Sequence, residues 1–66
     1  MEELKEIIAN KGLKLTWLAA QLGISEKSLY NKLNGVSDFK ITEINKLAVL
    51  LGLNRDDVTR IFLKVK

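Results

Sequence analysis

The sequence predicts an all-α domain of five helices packed as one small bundle. Three observations carry that expectation. Apolar residues return at three- and four-residue spacing in successive segments, no proline interrupts them, and each of the four glycines falls just beyond one of them. Period-two alternation, the mark of a strand, is confined to the last six residues.

The first helix is expected over Glu2 to Lys11, with Leu4, Ile7 and Ile8 turned inward and Glu2 and Glu3 beside the positive end of its dipole. Asn10, Lys11 and Gly12 close it, and Leu13 returns to the core. In the next segment Leu15, Leu18, Ala19 and Leu22 recur at i, i+3, i+4 and i+7, one apolar face of a helix. Its start is open: Lys14 cannot cap, so either Thr16 caps a later start or the first amides are left to water. Trp17 lies about 100° around from Leu18 and is expected half-buried at the core rim. Gly23 stops this helix, because a residue without Cβ takes the left-handed conformation without steric cost.

After Ile24, Ser25 is an N-cap for a third helix running to Asn34, with Leu29 and Leu33 inward and a polar outer face. Asn34 and Gly35 close it, and a loop from Val36 to Lys40 follows, anchored by Phe39. The fourth helix carries Ile41, Ile44, Leu47, Ala48 and Leu51 as a broad core stripe and ends at Gly52. Asn54 with Asp57 three residues on reads as a capping box for the fifth, in which Val58, Ile61 and Phe62 face the core. The tail Ile61 to Lys66 is ambiguous between helix and strand, and a helix to Phe62 or Leu63 with a frayed end is expected.

Composition narrows the function classes. Sixty-six residues make one domain with a marginal core. With no cysteine and no histidine, disulfides, thiolate chemistry and the usual zinc ligands are removed. No apolar run approaches the roughly 18 residues needed to cross a bilayer, and MEELKEII lacks the basic, apolar pattern of a signal peptide. A cytoplasmic, membrane-free protein without a second effector domain is therefore expected. Neither a nucleophile beside a base, nor a glycine-rich phosphate loop, nor a metal-ligand cluster is present, so no enzyme, cofactor or small-molecule ligand is expected. Asp56 and Asp57 are explained by their position at a helix start.

Charge is unevenly spread. Between Lys11 and Lys46 stand six basic residues (Lys11, Lys14, Lys27, Lys32, Lys40, Lys46) against three acidic ones (Glu26, Asp38, Glu43), while the flanks hold five of each. The entire net charge of +3 thus surrounds the third helix, as a phosphate footprint would require.

Ala19, Gly23, Ile24 and Leu29, set between Leu18 and Leu22, resemble the helix-turn-helix signature of the Cro and phage-repressor (Xre) family, and SLYNKLNG followed by FKITEI is similar to small Cro-type regulators. The likeness runs from about Leu4 to Phe62. It implies a lambda-repressor-like fold whose helices 2 and 3 form the motif, binding double-stranded DNA with helix 3 in the major groove. Carried over by position, it implies base-edge contacts from Glu26, Lys27 and Asn31. Base or phosphate contacts are implied for Ser25, Ser28, Tyr30, Lys32, Asn34, Lys40 and Lys14.

The sequence also departs from that pattern. Lys14 stands where the family has a capping residue, and Leu15 where it has a polar support for the reading helix. Lys32 replaces an aliphatic residue; with Leu33 turned inward in its place, Lys32 is expected to be free for solvent or phosphate.

Val49, Leu50, Ile61, Leu63 and Val65 are expected to form an exposed apolar patch, although Ile61 is also counted in the core. A symmetric homodimer through that patch would suit a near-palindromic operator; a monomer whose core these residues complete is the alternative. Repression by operator occupancy is the function so implied. The competing reading is a protein-interaction module of the same fold, such as an antitoxin or antirepressor.

Overall fold

The computed structural model describes residues 2–63 as helices joined by short turns, with no strand among them. α1 spans Glu2–Asn10, α2 Leu15–Leu22, α3 Glu26–Leu33, α4 Ile41–Leu51 and α5 Arg55–Val58, the last continuing as a wider π-helical turn over Thr59–Leu63. The five-helix, all-α expectation holds. Of the tail, Lys64, Val65 and Lys66 lie outside the described residues.

Each helix ends where local chemistry dictates. At α2, Gly23 has φ +72°, and the amides of Gly23 and Ile24 reach back to the carbonyls of Ala20 and Ala19. Two carbonyls that the helix leaves open are thereby satisfied, and the chain reverses sharply into α3. Ser25 starts α3 by accepting the Ser28 amide at 3.0 Å. Asn54 accepts the Asp57 amide at 2.8 Å while Asp57 accepts the Asn54 amide at 3.2 Å, the reciprocal box read from the sequence. The open question at α2 is also answered. The helix begins at Leu15, Lys14 occupies the capping position without capping, and Thr16 sits inside the first turn.

Leu4, Leu18, Leu29 and Leu47, one from each of the first four helices, are fully buried and form the centre of the core. Ile8, Ala19, Leu22, Leu33, Leu51 and Ile61 surround them. Ala19 is small enough for α3 to cross close over α2, and Leu29 fills the angle between the two. Phe39, from the loop after α3, meets Phe62 edge-to-face with ring centroids 5.5 Å apart, fixing the loop to the last turn. In the same last turn, the Arg60 guanidinium engages both Glu3 oxygens and Asp57, tying α1 to α5 and its continuation.

Two expectations about apolar residues are corrected. Ile41 is not part of the α4 core stripe: it is 67% exposed, the first residue of the helix, while Glu43 and Ile44 of the same turn are the residues covered. Ile61 is 3% exposed and belongs to the core, so it is unavailable to a surface patch. The rest of that patch does not hold together. Val49, 82% exposed, and Leu50 border a groove with Gln21, Asn45 and Lys46, whereas Leu63 borders another with Phe39, Ile41 and Phe62. Val65 lies outside the described residues.

Candidate nucleic-acid interface

The outer face of α3 follows from helix geometry. Lys27, Tyr30, Asn31 and Asn34 fall at i, i+3, i+4 and i+7, opposite the buried Leu29 and Leu33. Lys27, Tyr30 and Asn34 are exposed and Asn31 is half-buried, so the stripe projects from the bundle rather than packing into it. Lys27 forms no ion pair among the described residues, which leaves its ammonium available to an acceptor. At the head of the helix Ser25 and Ser28 share a hydroxyl–hydroxyl bond of 3.1 Å as well as the cap, so both hydroxyls already have protein partners.

Glu26, the first residue of α3, accepts a hydrogen bond of 2.9 Å from the Thr16 hydroxyl. The bond crosses the turn and places a carboxylate beside the first turn of α2, where no side chain caps the amides and the dipole favours negative charge. The linear pattern offered Thr16 only as a cap for α2, not as a partner of Glu26. It becomes a partner of Glu26 only because Gly23 folds α3 back across the start of α2. Leu15, the neighbouring position at which the resemblance expects polar support, packs against the core instead.

Lys32 is a correction. It was expected to be free for solvent or phosphate, yet its side chain is only 11% exposed and its ammonium lies 3.4 Å from Glu43, itself 7% exposed. It also donates to the Asp38 carbonyl at 2.9 Å. The cause is the helix angle: Lys32 lies three residues after the buried Leu29, on the same side of α3, so its long stem is covered and its ammonium reaches Glu43 on α4. Glu43 accepts in addition from the Lys40 amide at 2.9 Å and so caps α4 from its third position, a role lysine cannot fill. Glu43 is a residue for which the sequence reading had no role.

The remaining predicted cations lie at the edges of this face. Lys14 and Lys40 occupy the N-cap positions of α2 and α4, both exposed. A lysine at the positive end of a helix is locally unfavourable, but it adds a mobile charge beside free amides, the combination that attracts an anion. Asn34 closes α3, with Gly35 following at positive φ, and its side-chain oxygen accepts from the Lys5 ammonium. With Lys32 neutralised by Glu43, the exposed lysines of the central segment are Lys11, Lys14, Lys27, Lys40 and Lys46.

No described helix is long and apolar enough to cross a membrane. A family model described as "Protein of unknown function (DUF739)" matches residues 3–65. No curated protein and no solved structure matches the chain.

Proposed function

From a chain that belongs to the DUF739 family, we propose a small regulator that binds double-stranded DNA by laying the outer face of α3 in the major groove. The observation carrying this reading is the solvent-facing stripe Lys27, Tyr30, Asn31 and Asn34 on a helix whose opposite face is sealed by Leu29 and Leu33. An α-helix matches the groove in width, and lysine and asparagine are suited to guanine and adenine edges respectively. Lys14 and Lys40 then meet the flanking phosphates from the starts of α2 and α4. The likeness to the Cro and phage-repressor family supports the same docking, and repression by occupying an operator is the simplest output of a domain of this size.

A described body of 31 × 23 × 20 Å covers about one turn of duplex, so one copy reads one half-site. Two copies related by a two-fold axis would place their reading helices in successive major grooves about 34 Å apart, on a near-palindromic site. Among the described residues, Trp17, Val36, Ile41, Val49 and Leu63 are exposed apolar side chains on which such pairing could draw. The same side chains would serve the competing reading, an interaction module that binds a protein.

The test is titration of the full chain with mixed-sequence duplex at low ionic strength, followed by selection of sites from random duplexes. The expected result is a complex that weakens steeply with salt, as counterion release demands, and an enriched motif. A chain that forms no complex even at low ionic strength is not a DNA-binding protein.

A further inference from the structure

We infer that Thr16 is a positioning residue that fixes the Glu26 carboxylate as an acceptor-only probe, so that each half-site carries a base with an exposed amino group, cytosine or adenine, opposite the head of α3. The inference rests on the DNA-binding reading and deepens it.

A glutamate at the first position of an exposed helix would ordinarily sample several rotamers. Here the Thr16 hydroxyl donates to one carboxylate oxygen at 2.9 Å across the α2–α3 turn, and the first turn of α2 attracts the same charge. Neither partner leaves the surface: both residues are exposed, so the anchored carboxylate keeps accepting capacity towards solvent. An ionised carboxylate has no proton to give. In the major groove it is therefore matched only by the amino groups of cytosine and adenine, and it repels guanine O6 and N7 and thymine O4. Adjacent Lys27 has the inverse chemistry, donors only, and is suited to guanine. Neighbouring side chains of opposite kind at the head of one helix thus make a two-position discriminator. Its acidic half owes its aim to Thr16, on the preceding helix.

The experiment compares site selection from random duplexes by the wild-type chain, Thr16→Val and Thr16→Ser, with thermal melting of each to establish the fold. Valine keeps the shape and removes the donor; serine keeps the donor. Wild type and Thr16→Ser are expected to enrich cytosine or adenine at one position of each half-site. Thr16→Val should lose about fivefold or more of that preference at that position alone, with an unaltered salt slope. Thr16→Ala serves as the second variant if valine perturbs the helix, with the same expectation. Wild-type preference retained in the valine and alanine variants would overturn the positioning role while leaving DNA binding intact, as would a loss spread evenly over all positions. No complex from the wild-type chain would overturn the DNA reading and this inference together.

Discussion

Lys32 and Glu43 meet 3.4 Å apart between α3 and α4, both nearly withdrawn from water. Glu43 simultaneously holds the Lys40 amide, so one carboxylate caps α4, neutralises the inward cation of α3 and sets the end of the intervening loop. The pair thereby links α3 to the start of α4 and to Lys40, beside the core contacts of Leu29 and Leu33.

Glu43→Ala should cost about 3 kcal/mol or more, because it leaves an uncompensated cation in a nearly closed site and strips the cap. A domain of this size has only about 3 to 10 kcal/mol in total, so the variant should be close to unfolding at 37 °C. Replacing both partners, Lys32→Met with Glu43→Leu, should recover most of the loss. Urea denaturation of the three chains measures this; equal stability of Glu43→Ala and wild type would mean the pair contributes nothing.

Gly23→Ala should destabilise by about 1 to 2 kcal/mol. Nothing lies within 4 Å of where the new methyl would stand, so the cost comes from the backbone, held at φ +72°, and not from a clash. Gly23→Asn should cost less, since asparagine tolerates that conformation. Chemical denaturation midpoints order the three.

Stability should fall in acid, in part through Asp57. The Asn54 backbone amide, then the Arg60 guanidinium, hold its carboxyl below the usual value. A depressed folded value means the contribution is fully present above the unfolded value of about 4 and is lost as pH drops through the lower folded one. Asp57→Asn should therefore flatten the acid limb of the stability curve below about pH 4 and leave its shape near neutrality unchanged. Urea melts at stepped pH read the difference.

On DNA, Lys27→Ala or Asn31→Ala should lower the preference for a selected site by about 1 to 3 kcal/mol, whereas Lys40→Ala should weaken binding to all sequences alike and reduce the salt slope by about one. Lys32→Ala should act on stability and leave the salt slope unchanged, since its charge is already matched by Glu43. Filter binding or fluorescence anisotropy across a salt series separates the three behaviours. A salt slope altered by Lys32→Ala would return that lysine to the phosphates.

The helices, their order and most of their ends, the start of α2 and the tail apart, were determined by the sequence alone, since these depend on interactions within a few residues: the period of Leu15, Leu18 and Leu22, the Ser25 cap, the Asn54–Asp57 box. So was the polar outer face of α3, because a helix that buries Leu29 and Leu33 must turn Lys27 and Tyr30 away. Tertiary structure alone decided which charges remain free and which apolar residues are covered. Lys32 lost its exposure to Glu43, eleven positions on, Glu26 gained Thr16 across a turn, Ile41 stayed in water and Ile61 left it. A side chain's surroundings at a helix boundary depend on where the next helix crosses, and periodicity along one helix carries no information about that crossing.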